Sequence, residues 1–206
     1  GLAYIAEHFH PTRFLTNGAH GEEGDAQWQT FMARMQTAQL QPEVLHRGMQ
    51  MLQGDVQVTW HHPPATGLDE TLGKNNGSVV TDIRYGAFRA LIVGDVEHEA
   101  EAVLVRDAVL ESGPISVLQV PHHASRTSST PAFLQHVQPQ VAIAQLGFEN
   151  RYGFPHPEVA RRYDELGTVL CRTDRDGAVT VTVNSPTTQF SIQTESEAGT
   201  CSARVR

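Results

Sequence analysis

The stretch ISVLQVPHHAS, residues 115–125, decides the fold. Its first six residues are largely apolar and lie between Gly113-Pro114 and Pro121, the pattern of a short strand buried on both faces. The strand delivers two adjacent imidazoles, His122 and His123, at its end. Upstream, FRALIVGD (residues 88–95) repeats the arrangement, an apolar strand that ends in Gly94-Asp95. Residues 97–110 between the two read as a helix that Gly113-Pro114 closes. Strand, helix and strand in this order, with polar residues gathered at the strand ends, predict an α/β sandwich with mixed sheets.

The alternation continues on both sides. Downstream, the pattern predicts a helix at 131–136, a strand at 141–145, a long loop over 150–157 and a helix at 158–166. Strands follow at 169–173, 178–184 and 189–193, with Asp176-Gly177 as the hairpin turn between the first two. Upstream, residues 78–84 and 88–93 read as a hairpin turning at Tyr85-Gly86, and residues 56–60 as a strand stopped by His61-His62-Pro63-Pro64. Leu2, Ile5, Ala6 and Phe9 have helical spacing, a short strand surrounds Phe14 and Leu15, and Asp25 caps a helix running to about Ala38. In that helix Trp28, Phe31, Met32 and Met35 form one core-facing stripe. The chain divides into a domain over 1–194 and a disordered tail over 195–206.

Composition narrows the function classes. The 206 residues hold 15 Lys or Arg and 23 Asp or Glu, a net charge of −8. Nonspecific affinity for nucleic acid comes mainly from cations that neutralise phosphates, so DNA as a ligand requires a local basic strip or bound metal. Apolar runs of about four residues, such as 90–93, build a core but do not cross a bilayer. The 11 histidines point to metal or proton chemistry. Cys171 and Cys201 are 30 residues apart, without Cys-x-x-Cys spacing, and are a disulfide in an oxidising compartment or two independent thiols.

Asp95 and the His122-His123 pair supply the oxygen and nitrogen ligands that divalent cations take. An isolated Asp before a helix is ordinarily a cap, and an isolated His pair is ordinarily hydrogen-bonded structure, so neither is decisive alone. Asn75, Asn76 and Ser78 lie in a turn that leads into a strand. Ser125 offers a hydroxyl, and Arg126 a cation, to a phosphate. Asn150, Tyr152 and His156 occupy the long loop where substrate contacts concentrate.

Five ordered segments carry a family likeness: NNGSVV (75–80), LIVGD (91–95), VLQVPHHASRTSS (117–129), ENRYGFPHPEV (149–159) and RTDRDGAV (172–179). Together they resemble the carboxy-terminal metallo-β-lactamase-like domain of the ComEC family of DNA-uptake proteins of competent bacteria, over roughly residues 1–184. The resemblance implies a four-layer αββα sandwich. It also implies a divalent-metal phosphodiesterase site, with Mn²⁺ or Zn²⁺ in a binuclear centre. Asp95 then matches a metal-bridging carboxylate and His122 the late histidine ligand, with His123 the alternative ligand or catalytic histidine. Asn75, Asn76, Ser78, Ser125, Arg126, Asn150, Tyr152 and His156 become substrate-side residues.

The implied activity is a nuclease that degrades one strand of incoming DNA. Its partners would be the rest of a polytopic membrane channel and other competence proteins, and its location the extracytoplasmic side of an inner membrane. The chain departs from the family at Ala124, in place of the Gly of HHGS, and at Phe154, in place of the His of Gly-His-Pro. The first metal motif, H-x-H-x-D-H followed by Gly-Gly, is not in these residues. Gly1-Leu2-Ala3-Tyr4 resembles its continuation, so the natural protein is expected to extend upstream and this piece alone to be inactive. Competing readings are a metal-free module of the same fold that guides DNA or docks on the channel, and a related phosphodiesterase for small substrates.

Overall fold

The computed structural model describes residues 2–21, 24–196 and 201. Near the amino end, helix α1 (Leu2–His8) packs on helix α2 (Ala26–Thr37). Strand β1 (Phe14–Thr16) pairs in parallel with β2 (Pro42–Val44). Asp25 caps α2 as expected, its carboxylate accepting the Gln27 and Trp28 amides at 2.9 and 3.0 Å. Of the expected stripe, Met35 is fully buried, with Ala6 and Leu40, in a small satellite cluster; Trp28, Phe31 and Met32 are half-buried.

The main element is a seven-stranded sheet with its strands in chain order. These are β3 (Gln50–Gln53), β4 (Val56–His62), β5 (Val80–Tyr85), β6 (Phe88–Ile92), β7 (Ile115–Gln119), β8 (Pro139–Ala144) and β9 (Val169–Arg172). Strands β3 to β6 form an antiparallel meander, and β6 to β9 are parallel. Each parallel step needs a crossover, supplied by α3 (His98–Arg106), α4 (Pro131–Val137) and α5 (Pro157–Glu165). Prolines at the first position of α4 and α5 preset the helical φ where an amide would go unbonded anyway.

The three crossover helices share one face of the sheet. Leu104, Phe133, Val137, Val159 and Tyr163 pack there on Leu91, Leu118 and Ala142, and every residue of β7 is buried. The other face is covered near β8 and β9 by an antiparallel ribbon of β10 (Val179–Thr182) and β11 (Ser191–Thr194). Ile192 meets Val141 and Cys171 in that layer, and Phe190 packs edge-on against Phe88. The result is an α/β fold with a mixed central sheet, helices on one side and a β-ribbon on the other.

Several boundaries differ from the sequence reading. Strand β4 continues through His61 and His62, since it keeps pairing with β5 across a bulge at Trp60/His62. Helix α3 ends at Arg106, four residues short of the expected 110. Asp176-Gly177 is not a hairpin turn between β9 and β10. Thr173–Asp176 closes a helical turn, α6, whose Asp176 carboxylate takes the Arg172 amide at 2.7 Å, and β10 pairs with β11 instead.

The expected disordered tail falls largely outside the described residues. Its described members are held: the Glu195 and Ser196 amides bond to Ala178 and Asp176, and a disulfide joins Cys201 to Cys171 on β9. At Tyr85-Gly86 the hairpin is as expected. Gly86 has φ +58°, and a Cβ there would collide with the Pro186 carbonyl, so both backbone and space require glycine.

Candidate functional site

The carboxyl ends of β6, β7 and β8 open on one edge of the sheet, where open α/β sheets place ligands. A cleft of about 460 Å³ lies there, lined by Asp95, His122, His123, Asn150, Tyr152 and Phe154 among others. A larger cavity of about 620 Å³, around Asn17, Asp69 and Lys74, contains none of these strand-end residues.

Backbone geometry explains how the cleft is built. Gly94 has φ +60°, and an added Cβ would press on Ser78, whose hydroxyl accepts the Asp95 amide at 3.0 Å. After β7 the chain places His122, His123 and Ala124 at φ 44°, 56° and 60°. Three successive non-glycine residues in the left-handed region are a strained turn. Ala124 therefore occupies a position that glycine would fill more easily.

Gln119, a buried polar residue, locks the two strand ends together. Its Oε1 accepts the Val93 and Gly94 amides at 3.0 and 2.7 Å, and its Nε2 donates to the Val120 carbonyl at 2.9 Å. The His122 amide also donates to the Gly94 carbonyl. Behind the histidines, the 125–130 segment is held by buried Glu101, which accepts the Ser129 and Thr130 amides at 2.6 and 2.8 Å. Burial pushes the Glu101 carboxyl above its ordinary value, against these hydrogen bonds.

Each histidine is oriented through Nδ1. His123 Nδ1 lies 2.7 Å from the Gln145 carbonyl, and His122 Nδ1 lies 3.1 Å from the Glu97 carboxylate. The Gln145 carbonyl only accepts, so His123 Nδ1 carries the hydrogen of that bond. In a neutral ring the lone pair is then on Nε2. His123 Nε2 faces Asp95 Oδ1 at 3.5 Å, with both side chains 42% exposed.

Bonds of about 2.0–2.2 Å at a near-tetrahedral angle would set two ligands about 3.4 Å apart, so a shared divalent cation fits this pair. The carbonyl behind His123 is the customary support for a ligating imidazole. Among the described residues, no three His, Cys, Asp or Glu side chains converge on a single point. Asp95 and His123 form one pair, and Glu97 and His122 another.

The remaining sequence-selected residues separate by place. Asn150 lines the cleft but spends its amide on both backbone groups of Phe154. Tyr152 is exposed at the rim. Ser125 bonds Thr127, whose hydroxyl donates to Glu97, so it belongs to the chain of contacts behind His122. Asn76 caps α3 from a distance, accepting the Glu97 and Ala100 amides, while Asn75 is half-buried in the same turn. Arg126 donates to His156 Nε2 at 2.8 Å, at the start of α5, and neither lines the cleft. Glu97 and Gln119 were not selected from the sequence. Their traces there are a second carboxylate two residues after Asp95 and a polar residue inside an apolar strand.

Over about half its length this chain is homologous to competence proteins. It is 32% identical over 119 residues to ComE operon protein 3 of Bacillus subtilis, 58% of this chain and 15% of that protein. It is 35% identical over 111 residues to Recombination protein 2 of Haemophilus influenzae, covering 54% and 14%. Against Competence protein ComA of Neisseria gonorrhoeae it is 34% identical over 112 residues, covering 53% and 16%. The matched part thus spans about one seventh of each relative's length. No family model matches the chain.

Proposed function

We propose, from this homology to competence proteins of the ComEC kind, that the chain is part of a metal-dependent phosphodiester hydrolase acting on DNA during uptake. The observation that carries the reading is the Asp95–His123 pair, a carboxylate oxygen and a ring nitrogen 3.5 Å apart on the carboxyl edge of a mixed sheet. Asp95 and His123 would hold a divalent cation, Mn²⁺ or Zn²⁺, with His122 the next available nitrogen. Such a cation, when bound, lowers the pKa of a coordinated water and neutralises phosphate charge.

The protein's own groups do the rest. The Gln145 carbonyl and the Glu97 carboxylate fix both imidazoles, Gln119 fixes the spacing of the two strand ends, and the open cleft admits a phosphodiester. Local cation charge answers the net charge of −8. A helix layer, a mixed sheet and a β-ribbon support the αββα sandwich as the parent architecture. The Cys171–Cys201 disulfide supports an extracytoplasmic setting, since such bonds persist in oxidising compartments. The membrane channel and the other competence proteins remain the partners of this reading.

Calorimetric titration with Mn²⁺ and Zn²⁺ tests the metal, and cleavage of a single-stranded oligonucleotide by the natural protein tests the reaction. Saturable binding and metal-dependent cleavage, both lost in Asp95→Ala, are the expected results. Cleavage unchanged in that variant would refute the assignment.

A further inference from the structure

The rim of the cleft carries an aromatic surface that the Asp95–His123 pair does not use. Tyr152 is 65% exposed and Phe148, on the same loop, 80% exposed, an unusual display of large apolar rings beside a polar site. Tyr152 and Phe154 lie nearly parallel, 18° apart, with ring centres separated by 5.7 Å. At that separation the stack is offset, with Phe154 half-buried against the core and Tyr152 the exposed ring of the two. The Arg151 guanidinium carbon is 5.1 Å from the Tyr152 ring centre. Phe154 extends the surface inward to His122, edge to face at 6.3 Å.

We infer that Tyr152, Phe154 and Arg151 form a stacking subsite for the unpaired bases of single-stranded nucleic acid. The inference rests on the proposed phosphodiesterase reading and adds how the substrate strand is held. Flat rings accept any base face, and an adjacent guanidinium supplies both a stacking plane and a phosphate partner. Bases inside a duplex already stack on one another and cannot reach such a ring, so the subsite selects an unpaired strand. Tyr152 and Phe154 line the same cleft as Asp95 and His123, so a base stacked there would enter the cleft of the proposed metal pair.

Fluorescence anisotropy in Mn²⁺ with strands joined by cleavage-resistant phosphorothioate links tests stacking apart from cleavage. The 206-residue chain is titrated against labelled oligothymidylate and an abasic strand of equal length. Tyr152→Ala is expected to weaken oligothymidylate binding about tenfold and to leave abasic binding unchanged, while Tyr152→Phe, which keeps the ring but loses the hydroxyl that Arg151 bonds at 2.9 Å, retains most of the base-dependent binding. Equal losses for both strands, no loss in Tyr152→Ala, or no binding of oligothymidylate by the parent chain would each overturn the subsite. If base-dependent binding holds but metal-dependent cleavage by the natural protein fails, the hydrolase reading falls and the stacking subsite stands.

Discussion

His123 Nε2 and Asp95 Oδ1 face each other across 3.5 Å, while the Gln145 carbonyl holds the opposite side of the imidazole at 2.7 Å. His122, one residue earlier, turns the same ring atom, Nδ1, to Glu97 instead. The two neighbouring histidines are therefore not equivalent. Titration of the single variants with Mn²⁺ should show a larger loss of affinity in His123→Ala than in His122→Ala. The reverse order would move the ligand role to His122.

In the proposed site Glu97 would act on the metal only through His122, whose Nδ1 it faces at 3.1 Å. Groups that orient a ligating imidazole are commonly worth about 10–100-fold in metal affinity. If His122 completes the site, Glu97→Gln weakens Mn²⁺ binding within that range, and the double variant with His122→Ala adds nothing further. Additive losses in calorimetry would show that Glu97 acts by another route.

Gln119 joins the strand that carries Asp95 to the strand that carries the histidines. Gln119→Leu preserves volume and leaves the Val93 and Gly94 amides without their acceptor, a cost of about 1–3 kcal/mol per buried group. Urea unfolding of the variant should show that loss, and its metal affinity should fall as well. Unchanged stability would mean that other acceptors replace the amide oxygen.

Elements fixed by local bonds are legible in the sequence, and elements fixed by distant pairing are not. Asp25 announces its helix because a cap bonds amides two and three residues away, and Pro131 and Pro157 mark helix starts for an equally local reason. Asp176-Gly177 resembles a hairpin locally, but its carboxylate closes a turn on Arg172 and the chain leaves for the opposite face of the sheet. Strands β2 and β3 carry no apolar alternation because they are largely exposed, so nothing local marks them. The same distinction holds at the site. Glycine before Asp95 and the paired histidines were visible, whereas the division of labour between His122 and His123 depends on Glu97 and Gln145, which only the fold brings near.

The buried Asp82 carboxylate links stability to pH. Burial opposes its charge, but hydrogen bonds from His61, Arg89 and Arg84 together outweigh it and bring the carboxyl down to about 2. A carboxyl depressed in the folded state stabilises fully above its unfolded value near 3.8, and that contribution is lost as pH falls through about 2. The window is worth about 2 kcal/mol. Asp82→Asn should lose this acid dependence. At neutral pH it should also be less stable by about 3–5 kcal/mol, because Arg89 stays buried without its counter-charge. Parallel stability curves for variant and parent between pH 4 and 2 would contradict the assignment.

The Cys171–Cys201 bond ties the last described residue to an outer strand of the parallel sheet. Both cysteines are buried, together with Val141 and Ile192, so the bond closes the layer formed by the β10–β11 ribbon. Its 30-residue loop contains that ribbon, and cross-linking a loop of this size removes about 3–4 kcal/mol of chain entropy from the unfolded state. Reduction with dithiothreitol should lower the urea midpoint accordingly. Hydrogen exchange should accelerate first in residues 179–194, which rest on β8 and β9 from the face opposite the helices. The amides of β6 and β7, which pack under the crossover helices and carry the cleft, should keep their protection, so that metal affinity survives reduction. A simultaneous loss of metal binding would mean that the ribbon supports the site as well as the sheet.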